Sequence, residues 1–196
     1  ERLGESVAWF AIEEGTQLSD YQLETALKNV GDSEENLNFQ QAFSEVPAFF
    51  TTMQTTFDKE AAYPRNKDLT STGVSMKIQE EKSVDTDISH TPEKLACLAI
   101  DTTILTNNKG DVFGETGRKV ITTNWATVNL ANNYANPVVI ANSLSTNEEE
   151  AAIVQIDHVT ATSFDIRIKE WSYLDGNHTN EEVSYIVVEG SIPLNG

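Results

Sequence analysis

The chain has 196 residues, 39% hydrophobic and 8% aromatic, which is enough apolar material for a folded core and too much for a disordered chain. Its 31 acidic residues against 13 basic ones leave a formal net charge of -18, which repels phosphate backbones and anionic lipid and so excludes nucleic acid and acidic membrane surfaces as partners. A single cysteine, Cys97, rules out an internal disulfide, and there is no run of about 20 apolar residues to insert into a membrane.

The first predicted element is an apolar strand over residues 5–14, with Val7, Trp9, Phe10 and Ile12 as its assembly residues. Residues 19–30 carry two patterns at once. Ser19 and Gln22 make a capping box, and Leu23, Ala26, Leu27 and Val30 recur at helical spacing. The segment one repeat later, 110–121, holds Gly114, Gly117 and β-branched residues, so extended or irregular structure is expected at 19–30. Val74 to Gln79 alternates apolar and polar, and Leu95 to Ile100 is apolar. Residues 104–111 read as a connector. Beyond it, strands are expected at 120–123, 126–130, 137–143, 151–159 and 164–171, then a turn at Asp175-Gly176-Asn177 and a closing strand from Val183 to Glu189.

A repeat underlies this order. Val7, Leu95 and Val183 stand 88 residues apart, as do Glu5, Glu93 and Glu181. His90-Thr91 recurs as His178-Thr179 at the same step, while Pro47 and Pro137, Thr70 and Thr160, and Glu80 and Glu170 are 90 apart. Small loop insertions account for the drift. The expected fold class is therefore all-β: two tandem antiparallel β-sandwich domains, at 17–104 and 105–196, preceded by a surplus strand within 1–16 that matches the closing strand of a preceding repeat.

The repeat unit resembles the H-type lectin domain. In the second unit the resemblance lies in Tyr134, Pro137 to Ile140, Thr160 to Phe164, Ile166 to Trp171 and Tyr185 to Val188; in the first, in Phe43, Pro47 to Phe50, Thr70 to Val74, Met76 to Ile78 and Cys97 to Ile100. It implies a six-stranded antiparallel sandwich that often trimerises and binds galactose-type sugars through a Trp-His pair and an arginine. Trp171 holds the tryptophan position, but Ser172 holds the histidine position and Ala151 the arginine position, so that sugar set is not carried over whole. The unit is also similar to accessory modules of large secreted bacterial surface proteins.

Trp171, Tyr173, Asp175 and His178 fall in or beside one hairpin, where an aromatic ring can stack on a sugar while Asp and His bind its hydroxyls; they are the candidate ligand-binding set. The competing role is structural, with Trp171 covering the sandwich end and His178 ordering the turn. Glu93 and Glu181 read as a charged shoulder of the closing strand, and Cys97 as an inert core thiol. No cofactor is expected, beyond weak Ca²⁺ binding at Asp85, Asp87 and Asp175. No catalytic set converges, so the chain is expected not to be an enzyme. The expectation is an extracellular or cell-surface binding and adhesion module, with glycan or other copies of itself as partner, no membrane insertion and a homo-oligomeric state. The alternative is a structural repeat of a filament or adhesin stalk, assembled by donating the strand at 5–14 to a neighbour's sheet edge. The acidity suits solubility in a salty medium, where surface repulsion is screened.

Overall fold

The computed structural model describes residues 9, 11–13, 15–16, 20–83 and 86–190; Val7, Phe10 and Asp85 lie outside them. The described residues form strands and no helix, and every strand pair is antiparallel. The protein is thus all-β, with a sandwich fold.

In chain order the strands are β1 (Leu23–Val30), β2 (Glu35–Asn38), β3 (Ala48–Met53), β4 (Ala62–Lys67), β5 (Gly73–Glu80), β6 (Glu93–Ile100), β7 (Ile104–Thr106), β8 (Val112–Ile121), β9 (Ala126–Asn129), β10 (Pro137–Asn142), β11 (Ala152–Asp157), β12 (Ser163–Glu170) and β13 (Glu181–Glu189). Two sheets come from the earlier half, in orders β1-β6-β3 and β2-β5-β4, and two from the later half, in orders β10-β13-β8-β7 and β11-β12-β9. Replacing β1 to β6 by β8 to β13 converts one pair of sheets into the other, with β7 as the addition. The copied sequence is a copied topology.

Residues 23–30 are a strand, because the whole of β1 pairs with β6, from Leu23 opposite Ile100 to Val30 opposite Glu93. The helical spacing loses to that ladder. The segment 104–111 is more than a connector: β7 folds back on β8 through a turn that puts Gly110 at φ 83°, a conformation that favours glycine. His158, expected within a strand, sits just past β11 at φ 47°.

Each half has its own core. Val30, Phe39, Phe43, Phe49, Val74, Met76, Ile78, Leu95 and Cys97 fill the first, and Ile121, Val128, Tyr134, Phe164, Ile166, Ile168, Val183 and Val187 the second. A third cluster joins them. It takes Ala48, Phe50, Leu98 and Ile100 from the first half and Ile186 from the second, with Ile140 and Val188 packed against it. On β6 and β13 these residues have the opposite parity to the core residues, so both strands are apolar on both faces. That is why neither alternates in sequence.

The first half's edge strand is capped by the second half. Phe49 and Thr51 on β3 donate their backbone N–H to Ser184 Oγ (2.8 Å) and Ser143 Oγ (2.6 Å), and Asn142 Nδ2 donates to the Thr51 carbonyl (3.0 Å). An open edge is an aggregation hazard, and here it is closed within the chain.

Among the described residues of 5–14, none lies in a strand. Trp9 is 79% exposed, and Ile12 packs against the third cluster. The chain enters both halves alike: Gly15 N donates to Thr25 Oγ1 at 3.0 Å, as Thr103 N does to Thr116 Oγ1 at 3.0 Å.

Candidate functional site at the junction of the two halves

The closing strand of each half starts with a glutamate, and that glutamate organises the end of its sandwich. In the second half the Glu181 carboxylate accepts from Ser145 Oγ and from the backbone N–H of Asn147 (2.9 Å) and Glu148 (3.1 Å). In the first, Glu93 accepts from Thr55 Oγ1 and from the N–H of Phe57 (2.6 Å) and Asp58 (3.0 Å). A histidine three residues earlier joins it in each copy. His178 places Nε2 3.2 Å from Glu181 and Nδ1 3.1 Å from Glu170; His90 places Nε2 3.8 Å from Glu93 and Nδ1 3.5 Å from Glu80. The loop is tied down in the same way, with Thr179 N donating to Glu148 and Thr91 N donating to Asp58.

Glu93 and Glu181, expected as a charged shoulder of the closing strand, are 1% and 0% exposed. Burial pushes both carboxyls upward, but the hydrogen bonds they accept outweigh it and hold both below the ordinary glutamate range. Burial pushes His178 down, and its hydrogen bonds to Glu181 and Glu170 more than reverse that, so its pKa is raised.

Arg65 on β4 crosses from the first half into this network. It is 1% exposed. Nε donates to the Ser145 carbonyl (2.9 Å), Nη2 to Glu181 Oε1 (3.0 Å), and Nη1 to Gln79 and the Glu150 carbonyl (3.3 Å). Asn66 beside it donates to the Ser143 carbonyl and accepts at its own carbonyl from Thr146 Oγ1. Beside these contacts lies a cleft of about 370 Å³ lined by residues from both halves, among them Thr51, Tyr63, Arg65, Asn142, Ser143 and Ile153.

The four candidate ligand-binding residues lie along one loop that packs on the first half. Trp171 is half-buried and donates from Nε1 to the Tyr63 hydroxyl at 2.6 Å; burial pushes the Tyr63 phenol up to about 12. The Tyr173 hydroxyl accepts from Lys82 N at 3.1 Å while its ring is 44% exposed. Asp175 is exposed and accepts from Asn177 N at 2.7 Å. His178 is buried, its side chain closed off by Glu170 and Glu181. The loop thus offers solvent Tyr173 and Asp175, and commits Trp171 and His178 inward. Cys97 is buried and pushed up to about 12 by desolvation.

Sequence reasoning missed Arg65, Tyr63 and Glu150. The ligand atoms of Glu150, Glu170 and His178 lie within 4.8 Å of one another. The recurrence of Glu80, His90 and Glu93 as Glu170, His178 and Glu181 was the available signal for the network. Arg65 has no counterpart, since Gln155 stands one period on.

Fold and site together define a β-sandwich protein whose two halves are tied by a buried polar network. No family model matches the chain, and no solved structure matches it. It is similar to Halomucin of Haloquadratum walsbyi, 26% identical over 203 residues; the alignment covers 97% of this chain and 2% of Halomucin. The chain thus spans a small fraction of the length of that relative.

Proposed function

We propose that the chain is a non-catalytic repeat module of an extracellular or cell-surface protein, and that its task is to hold two sandwiches in one fixed orientation. Arg65 supports this most directly. All its nitrogens are engaged and five of its six hydrogen bonds reach the other half, so it is a joint and not a ligand-binding arginine. Extracellular placement is supported by the likeness to Halomucin, by its name a mucin-like protein, and by the net charge of -18, which is tolerated where salt screens repulsion. Small-angle X-ray scattering on the purified chain tests the fixed orientation. The parent should scatter as a single rigid particle and Arg65→Gln as a broader distribution; a parent that already behaves as two hinged bodies would contradict the proposal.

The exposed Tyr173 and Asp175 support a second reading, glycan binding at this loop. A glycan array should then give a signal that Tyr173→Ala removes, and a blank array counts against it. Head-to-tail assembly through Val7, Trp9, Phe10 and Ile12 is supported by the exposure of Trp9. Deleting residues 1–16 should lower the oligomeric mass, and an unchanged mass speaks against strand donation.

A further inference from the structure

The two copies of the Glu-His network differ in one respect that points to a ligand. In the second half the Glu181 carboxylate accepts from Ser145, two backbone N–H groups and Arg65, and His178 Nε2 lies 3.2 Å from it. His178 Nδ1 faces two carboxylates, Glu170 at 3.1 Å and Glu148 at 3.7 Å. In the first half no hydrogen bond closes the equivalent contact. Glu80 Oε2 and His90 Nδ1 are 3.5 Å apart, belong to residues only 3% and 4% exposed, and have no hydrogen-bond partner. A polar atom buried in this way is costly.

We propose that this cradle is a divalent-cation site of the Zn²⁺ class, held by Glu150, Glu170 and His178 Nδ1 in the second half and by Glu80 and His90 Nδ1 in the first. Two ligand atoms about 2.1 Å from a tetrahedral ion stand about 3.4 Å apart, which is the gap between Glu80 and His90. In the second half the three ligand atoms already lie within 4.8 Å of one another, so only small side-chain movements gather them. One imidazole and two carboxylates leave a fourth position for water, and Glu150, half-exposed, lies on the entry side. The donor set argues against Ca²⁺, which takes six or more oxygens. Glu170 is aimed by the Gly176 N–H (2.8 Å) and His178 by Glu181, the outer-shell support that metal-bound histidines require. Glu60 stands one period before Glu150, so the first half carries the same three residue types in the same order.

Long-range ¹H–¹⁵N NMR of the histidine rings, on the whole chain stripped with EDTA and titrated with Zn²⁺, tests this. The chain has three histidines, and His158 is the internal control. The Nδ1 resonances of His90 and His178 should move while those of His158 stay. Glu150→Gln should weaken the His178 response roughly tenfold or more without touching His90, and its circular dichroism should match the parent. Glu149→Gln, on the same loop but paired to Lys77, should change nothing. Ca²⁺ at millimolar level should not displace the ion. His178 Nδ1 unmoved by millimolar Zn²⁺, or a Glu150→Gln chain binding as tightly as the parent, would overturn the proposal.

Discussion

Arg65 and Glu181 form an ion pair buried at both ends, and the physics of buried pairs says what breaking it does. Burial pulls the Arg65 pKa below the ordinary arginine value, and Glu181 pulls the other way. Removing one partner strands a buried charge, which costs about 3–5 kcal/mol. Glu181→Gln should therefore lower the urea midpoint by that equivalent, while Arg65→Met with Glu181→Met should lose much less. Equal losses in the single and double variants would show that the pair carries little. Cys97 gives a pH-dependent counterpart. Its pKa rises from 9.0 to about 12 on folding, so the folded chain holds the thiol proton more tightly. The associated stability is complete below about pH 9 and is lost as pH rises towards 12. A thiol reagent at pH 8 should leave the native chain unlabelled, and rapid labelling would contradict the buried position. Cys97 was legible in sequence because it lies inside the apolar run from Leu95 to Ile100. Arg65 was not, because a lone arginine in a short strand looks the same whether it faces water or a neighbour.

At the scale of elements, the two halves solve one packing problem in two ways. Ala26 pairs with Cys97 across β1 and β6, whereas Gly117 pairs with Tyr185 across β8 and β13. A Cβ on Gly117 would come within 2.3 Å of the Tyr185 hydroxyl oxygen. Gly117→Ala should cost about 1–3 kcal/mol through overpacking, and Gly117→Ala with Tyr185→Cys, which copies the first half, should recover most of it in thermal melts. No recovery would mean that the two halves are not equivalent at this layer. The repeat period exposed this equivalence in sequence, and it favoured extended or irregular structure at 19–30, of which 23–30 form a strand. The alternation at 164–169 was read correctly: Phe164, Ile166 and Ile168 are buried. At 74–79 the same reading was incomplete. Ser75 and Gln79 are buried too, because Gln79 Nε2 donates to the Glu149 carbonyl and Lys77 pairs with Glu149. Alternation reports a strand's own core and is blind to what covers its other face.

For the whole molecule the decisive feature is the junction, where the third apolar cluster, the capped edge of β3 and Arg65 meet. Two sandwiches joined by a loose linker would unfold separately; two that share a buried face should unfold together. The sequence announced two copies but not their union, since the residues that make the union look like ordinary strand residues. The chain carries suitable reporters on either side. Cys97 lies in the first core, and Trp125 and Trp171 lie in the second half. Urea unfolding followed by pulsed labelling of Cys97 and by tryptophan fluorescence should give coincident midpoints. Cys97 becoming reactive at a urea concentration that leaves the fluorescence native would contradict the shared junction.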